Sequence, residues 1–382
     1  MKIHRPLSLP KQSFFLLGPR GTGKSTWLKE SLPQAHVVDL LDETVYQRCL
    51  ADPSVFQMEV GAQPPSRWIV VDEIQRLPNL LNEVHRAIES QGHRFALCGS
   101  SARKLRRAGV NLLGGRALQR VMHPFTPAEL GDDFDVDQAL RFGLLPVVLG
   151  STAKAETLVS YAQLYMKEEI QGEALVRNLP GFARFLPIAA LLNGQVLNVS
   201  NIARDAAVAR PTVHGYLEIL VDTLLCFRLP AFEAKLRVRE RRHPKWYWCD
   251  PGLVRAMKRQ GGPLTMEERG PLFEGLVAQL IRASMDYYSA ADQVHYWAPA
   301  EAADVEVDFL LTRGGRHVAV EVKSGRRPSP SWVRGLKAIQ GLPGLKRRLV
   351  VYPQGPKMAL GDGIEGVPLS QFSQWLRDGK LF

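Results

Sequence analysis

Residues 18 to 25 read Gly18-Pro19-Arg20-Gly21-Thr22-Gly23-Lys24-Ser25, the spacing G-x-x-x-x-G-K-[ST]. The apolar run Phe14-Phe15-Leu16-Leu17 precedes them and the helix-forming Thr26-Trp27-Leu28-Lys29-Glu30 follows. A buried strand, a glycine-rich loop and a helix in that order make a cradle for a polyphosphate. Gly18, Gly21 and Gly23 let backbone N–H groups turn inward, and the helix N-terminus adds partial positive charge. Lys24 is placed to reach the β- and γ-phosphates of ATP, Ser25 to ligate Mg²⁺, and Thr26 to complete the nucleotide contacts.

Downstream, Arg67-Trp68-Ile69-Val70-Val71 runs into Asp72-Glu73, as a buried parallel strand does when it delivers carboxylates to the C-terminal edge of a sheet. Beside a phosphate loop, Asp72 is expected to hold Mg²⁺ through water and Glu73 to polarise the attacking water as catalytic base. A pair of acids after a strand can also be an ordinary helix N-cap. A third strand, Arg94-Phe95-Ala96-Leu97-Cys98, ends in Gly99-Ser100-Ser101. Its Ser100 hydroxyl is placed either to reach the γ-phosphate or to cap the next helix. One of Arg116 and Arg120, in Gly114-Gly115-Arg116-Ala117-Leu118-Gln119-Arg120-Val121, is placed to neutralise transition-state charge in its own subunit or a neighbour's, the alternative for either being a structural or phosphate-independent role.

These pieces, with a further strand His36-Val37-Val38-Asp39-Leu40 between the loop and the Asp-Glu strand, resemble the AAA+ branch of P-loop ATPases. More narrowly, the chain is similar to the bacterial and archaeal ATPases whose C-terminal half carries the domain of unknown function 4143. Besides the motifs above, the resemblance rests on Pro124-Phe125-Thr126-Pro127-Ala128-Glu129-Leu130, Asp250-Pro251-Gly252-Leu253 and Val320-Glu321-Val322-Lys323-Ser324. It covers nearly the whole chain and implies ATP hydrolysis with Mg²⁺.

A length of 382 residues suits two or three domains, and 45% hydrophobic residues suffice for packed cores. Cys49, Cys98, Cys226 and Cys249 are scattered without C-x-x-C spacing, which excludes a disulfide framework or zinc site and fits a reducing compartment. With no apolar leader after Met1 and no segment of spanning length, a soluble cytoplasmic protein without a membrane partner is expected. The net charge of +11 is unevenly placed. Residues 231–260 hold nine Lys/Arg against three Asp/Glu, residues 313–348 ten against one, and the rest is net acidic. Such blocks are the footprint of a face for nucleic acid, here DNA, and they lie away from the ATPase motifs.

Residues 126–190 read as a helical lid or connector, with Leu158, Tyr161, Leu164, Tyr165 and Met166 along one apolar face of a helix from Thr157 to Gly172. Val199 to Asp205 and Val208 to Leu217 read as two helices around a tight turn, a helix-turn-helix followed by a wing-like basic stretch. There Lys235, Arg237, Arg239 and Arg241 alternate with apolar residues, so on a strand they share one face that could track phosphates. Arg210 is either a base-edge contact or an ordinary helix-start residue.

After the break Gly261-Gly262-Pro263 to Gly270-Pro271, two strands, Val305–Thr312 and His317–Ser324, flank Arg313-Gly314-Gly315-Arg316. With Gly314-Gly315 as a two-residue turn, Asp308 falls opposite Glu321 and Glu306 opposite Lys323, all on one face. Opposed carboxylates repel, which invites a cation, and hard oxygen ligands suit Mg²⁺ or Mn²⁺. The alternative is a Glu306–Lys323 cross-strand salt bridge on a solvated face. The pattern resembles the PD-(D/E)xK nuclease core, with Val307 in place of the proline. That resemblance implies Asp308 and Glu321 as metal ligands, Lys323 as the residue orienting the nucleophilic water and Glu274 at the site's edge. Arg326 and Arg327 beside it suit phosphate contact.

The expected architecture is α/β throughout. A P-loop AAA+ core (1–125) is followed by a helical lid (126–190), a winged helix-turn-helix (191–260) and a restriction-endonuclease-like domain (261–382). The expected function is a Mg²⁺-dependent ATPase acting on DNA, as a remodelling motor or an ATP-gated nuclease, with a homo-oligomer among the expected assemblies. The rival is a signalling or scaffold ATPase whose nucleotide state gates protein partners, with a catalytically dead C-terminal domain.

Overall fold

A computed structural model describes residues 3–101, 113–165, 176, 178–233, 240–300, 302, 305–325 and 328–382. The chain folds as two compact units. One comprises His4–Pro124 with Asp222–Leu224, the other most of the remaining chain.

In the first unit, β1 (Phe14–Leu17), β2 (His36–Asp39), β3 (Trp68–Asp72), β4 (Arg94–Gly99) and β5 (Leu118–Val121) form a parallel sheet in the order β2-β3-β4-β1-β5. The central strands are apolar along their length because both faces are covered; all four residues of β1 are buried. The covering helices are α1 (Lys24–Ser31), α2 (Glu43–Ala51), α3 (Pro53–Gly61) and α4 (Leu80–Gln91). Leu80, Leu81, Val84 and Ala87 give α4 one buried face, and Gly92, at φ 70°, ends it. Because β4 lies between β1 and β3, the phosphate loop and Asp72-Glu73 emerge on the same sheet edge two strands apart, about 9–10 Å.

Among the described residues the second unit begins with α5 (Pro127–Leu130), α6 (Val136–Phe142), α7 (Pro146–Leu149), α8 (Lys154–Tyr165) and α9 (Leu179–Leu191). The expected continuation of α8 beyond Tyr165, including Met166, lies outside the described residues. Next come β6 (Gln195–Val196), α10 (Val199–Asp205), α11 (Arg210–Asp222), β7 (Cys226–Leu229) and β8 (Lys245–Trp248), with the strands in the antiparallel order β6-β8-β7. After α12 (Pro251–Met257) and α13 (Met266–Tyr288), a six-stranded sheet follows in the order β13-β14-β12-β11-β10-β9. Its strands are β9 (Gln293–Trp297), β10 (Val307–Arg313), β11 (Arg316–Val322), β12 (Leu345–Tyr352), β13 (Met358–Ala359) and β14 (Ile364–Pro368), with α14 (Arg334–Ala338) and α15 (Leu369–Arg377) beside them. The turn between β10 and β11 is Gly314-Gly315, at φ 52° and 73°, and its rungs run from Arg313↔Arg316 to Phe309↔Val320.

One apolar core runs through this unit from Phe125 to Leu381, so the lid, helix-turn-helix and nuclease-like segments expected from sequence share it. Asp250 fastens the lid to it. Its carboxylate caps α12 by accepting from Leu253 N–H (3.1 Å) and reaches back to Leu144 N–H (2.6 Å). The neighbouring glycines permit this approach: a Cβ on Gly143 would lie 1.9 Å from Asp250 Oδ1, and one on Gly252 2.3 Å from Phe142 O. Asp250-Pro251-Gly252-Leu253 is therefore a packing motif.

The segments flanking the basic stretch are laid on β9. Phe232 N–H donates to Tyr296 O (2.7 Å), Arg241 N–H donates to Ala298 O (3.0 Å), and Glu240 bridges to Pro299. Lys235, Arg237 and Arg239 lie outside the described residues.

Candidate functional sites

The phosphate loop closes on itself through its polar groups. Gly21 and Gly23 take φ 76° and 87°, a left-handed backbone that glycine adopts without cost and that turns successive N–H groups to one side. Lys24, 6% exposed, donates to Gly18 O (2.9 Å) and Pro19 O (3.1 Å), and Thr22 Oγ donates to Pro19 O (2.8 Å). Gly18 packs on β5's end, where a Cβ would meet Met122 O at 2.3 Å. Ser25 and Thr26 occupy the first turn of α1, Thr26 exposed. Ser25 and Asp72 line one cavity of about 180 Å³ beneath α1, so the two expected Mg²⁺-holding groups face the same side.

At the next strand ends, Glu73, Gln75 and Ser100 form one polar cluster. Gln75 Nε2 donates to Glu73 Oε2 and to Ser100 Oγ (3.0 Å), while Ser100 Oγ lies 3.4 Å from Glu73 Oε2. Gln75 is buried, its Oε1 has no hydrogen-bond partner, and a Cβ on Gly99 would strike that oxygen at 2.5 Å. Glu73 itself sits at φ 56°, a left-handed conformation costly for a side-chain-bearing residue. Such strain clusters at functional positions. The hard oxygens of Ser25 and Asp72, the inward loop and an acid beside them suit Mg²⁺-ATP.

Arg116 does not join this cluster. Its guanidinium pairs with Glu89 near the end of α4 and donates to Gly114 O (3.2 Å), just before β5 starts. That end of the sheet is opposite the phosphate loop, because α4 leads into the beginning of β4 and β5 runs parallel to β1. Of the roles expected for Arg116, a structural one, as partner of Glu89, and reaching a neighbouring subunit both fit this placement. Arg120 lies nearer the loop, level with Leu16 of β1.

In the second unit the acids gather around a residue that the sequence reading passed over. Lys245 opens β8 and its side chain is 3% exposed. Its Nζ contacts Glu274 Oε1 (3.0 Å), Glu306 Oε1 and Asp308 Oδ1 (3.4 Å). One carboxylate oxygen of each acid lies within 4.8 Å of the others, the spacing of a cation site. Tyr247 OH donates to Glu274 Oε1 (2.5 Å). Asp308 Oδ2 accepts from Val322 N–H (2.8 Å), and Lys323 Nζ contacts Glu321 Oε1 (2.6 Å).

Two expectations are corrected here. Glu306 pairs with Lys245 and not with Lys323, which is held by Glu321. Glu274 lies inside the cluster rather than at its edge. The grouped acids are Glu274, Glu306 and Asp308, with Glu321 adjoining, because the third sheet-lining carboxylate comes from α13 and the cation from a different sheet.

The electrostatics follow from burial. Desolvation pushes Glu274 up to about 7, partly offset by Lys245, and raises Glu306 and Glu321 above the usual carboxylate range. Burial alone would lower the Lys245 ammonium, but Glu274 and the other acids around it hold it well above its ordinary value. Removing one partner of a buried ionic cluster costs about 3–5 kcal/mol, so Lys245 is integral to the fold. Glu321 Oε2 is buried with no hydrogen-bond partner, an oxygen available to a metal ion. The all-oxygen donor set suits Mg²⁺ or Mn²⁺.

Of the expected DNA contacts, Arg210 is exposed at the start of α11 and Arg241 is half-buried on the segment beside β9; Arg326 and Arg327 lie outside the described residues. The four cysteines are free and buried. Among the described residues no helix is long and apolar enough to cross a membrane.

Comparison with known proteins places family models along the whole chain. Residues 10–131 match an AAA domain, 133–264 a domain of unknown function (DUF8612), and 269–372 a domain of unknown function (DUF4143). Two relatives, the uncharacterized proteins Rv2008c of Mycobacterium tuberculosis and Mb2031c of Mycobacterium bovis, are each 26% identical over 366 residues, covering 93% of this chain and 80% of theirs. Among solved structures, protein VC1899 from Vibrio cholerae is 11% identical over 96% of both chains, with a TM-score of 0.22. Can2 from Sulfobacillus thermosulfidooxidans, in complex with cyclic tetra-adenylate, is 11% identical over 96% of this chain and 98% of its own, with a TM-score of 0.23. Scores this low carry no argument about fold or function. The chain thus joins an AAA-type ATPase domain, over residues 10–131, to a C-terminal DUF4143 domain, over residues 269–372.

Proposed function

We propose that this protein is a Mg²⁺-dependent ATP hydrolase that acts on DNA. The observation that carries the ATPase reading is the meeting, on one parallel-sheet edge, of the phosphate loop with Lys24, the Ser25–Asp72 side and the Glu73–Gln75–Ser100 cluster. Lys24 would exchange its loop carbonyls for β- and γ-phosphate oxygens, and the N–H groups after Gly21 and Gly23 would bind phosphate. Ser25 and Asp72 would hold Mg²⁺, which neutralises charge on the transferring phosphoryl group. Glu73 would accept a proton from the attacking water, with Gln75 and Ser100 fixing its carboxylate. Arg116 would serve a neighbouring subunit, so a homo-oligomer is part of the reading.

For DNA, support comes from α10 and α11 joined by a short turn, the exposed Arg210, and a sheet order β6-β8-β7 like that of winged helices. The basic blocks at 231–260 and 313–348 add positive charge for a polyanion, Lys245 and Arg255 excepted, since both are buried in ion pairs. The C-terminal unit's helix, antiparallel β9-β10-β11 and parallel β12 suit a nuclease-like fold, and Asp308, Glu321 and Lys323 would form its centre. The Lys245 ammonium among those acids favours a second reading, a nuclease-like domain that binds without cutting. Measuring ATP turnover with and without single-stranded, duplex and branched DNA tests the proposal. Stimulation by one form is expected; turnover indifferent to every form would instead favour a scaffold ATPase gating protein partners.

A further inference from the structure

We propose that Lys245 is a resident cation competing with a divalent metal ion for Glu274, Glu306 and Asp308, so that the cluster takes metal only when the Lys245 side chain has left it. This rests on the nuclease-like reading of the cluster and adds a control over its loading. The three acids spaced for a cation are the ones that Lys245 Nζ touches, through Glu274 Oε1, Glu306 Oε1 and Asp308 Oδ1. A divalent ion bonds carboxylate oxygens at about 2.0–2.6 Å. An ammonium held among the same three carboxylates competes with it for that place.

A second observation points to a missing cation. Four carboxylates, of Glu274, Glu306, Asp308 and Glu321, gather around two ammoniums, of Lys245 and Lys323, and Glu321 Oε2 is buried without a hydrogen-bond partner. When all are ionised the group carries a net charge of −2 with Lys245 in place and −3 once its ammonium has left, an excess of negative charge that a divalent ion offsets. Lys245 also comes from outside the sheet it neutralises. It lies on β8, the middle strand of the three-stranded sheet, paired with Val196 on one side and Leu229 on the other, whereas the acids stand on α13 and around β10 and β11. Its backbone is fixed by both neighbours, so exit means rotation of the side chain.

Mn²⁺ titration of the full chain without nucleotide, followed by electron paramagnetic resonance, tests this in the parent, Lys245→Gln and Lys245→Gln/Asp308→Asn. Lys245→Gln should bind Mn²⁺ at least ten-fold more tightly than the parent, and the double variant should lose the gain. Should Lys245→Gln fail to fold, acylation of lysines in the parent, read by mass spectrometry, keeps the question open to decision. Saturating Mn²⁺ should raise Lys245 labelling several-fold. Equal Mn²⁺ affinity in parent and Lys245→Gln, or unchanged labelling with Mn²⁺ bound, would overturn the competition while leaving the metal site standing. No Mn²⁺ binding in either protein would overturn both the competition and the nuclease reading.

Discussion

Replacing Glu73 by glycine and, separately, by alanine separates its two properties, a strained backbone and a catalytic carboxylate. At φ 56° the left-handed conformation costs a residue with a Cβ about 1–2 kcal/mol. Alanine keeps that cost. Glycine removes it but gains about 0.5–1 kcal/mol of freedom in the unfolded chain. Both substitutions delete the contacts to Gln75 and Ser100, which cancel in the comparison. Glu73→Gly should therefore be more stable than Glu73→Ala by about 0.5–1 kcal/mol. Because the chain folds as two units, the difference is read from hydrogen exchange of β3 and β4 amides rather than from one global melting curve. Both variants should lose turnover by about 10²–10⁴-fold, the contribution of a positioned general base. An alanine variant as stable as the glycine variant would refute the strain; turnover within a few-fold of the parent in either would refute the base.

Neutralising Arg237, Arg239 and Arg241 together should weaken duplex DNA binding and reduce the log-log salt slope by about 0.9 per lost phosphate contact; an unchanged slope in fluorescence anisotropy assigns that stretch to packing. Burial pushes Asp250 up to about 6, above its unfolded value of 3.8, so the stability it contributes is full below 3.8 and lost as pH rises through 6. At 1.36 kcal/mol per pH unit the loss is about 3 kcal/mol. Relative to Asp250→Asn, the parent should lose that much between pH 4 and 7 in urea unfolding of the C-terminal unit, and a constant difference would contradict it. Glu321→Gln should abolish Mn²⁺ binding at the C-terminal cluster, where its buried Oε2 makes no hydrogen bond, while turning the Lys323 ion pair at Oε1 into an ordinary hydrogen bond; retained binding would remove Glu321 from the ligand set.

The N-terminal site was legible because its chemistry is local. Gly18 to Ser25 and Asp72-Glu73 each sit where one strand ends, and a parallel sheet brings such ends to one edge. The β10–β11 register was legible for the same reason, since a Gly-Gly turn fixes the rungs from Arg313↔Arg316 onward. Lys245 was not. It is 29 residues before Glu274 and 63 before Asp308, on a strand of another sheet, and only tertiary packing brings it to them. Its one trace in the sequence is a charge heading the apolar run Lys245-Trp246-Tyr247-Trp248. Which sheet edge Arg116 occupies was not legible either, since it depends on β5 pairing with β1. Gln75 follows Asp72-Glu73 by two residues, but its place beneath Gly99 shows only when β3 and β4 are set side by side.

Phosphate release from ATP by the purified full chain, followed with and without Mg²⁺ and beside Glu73→Gln and Lys24→Ala, weighs most directly on the ATPase reading. Mg²⁺-dependent turnover is expected in the parent, nucleotide binding without turnover in Glu73→Gln, and neither in Lys24→Ala. Turnover in Glu73→Gln within a few-fold of the parent, or ATP binding undiminished in Lys24→Ala, would contradict it.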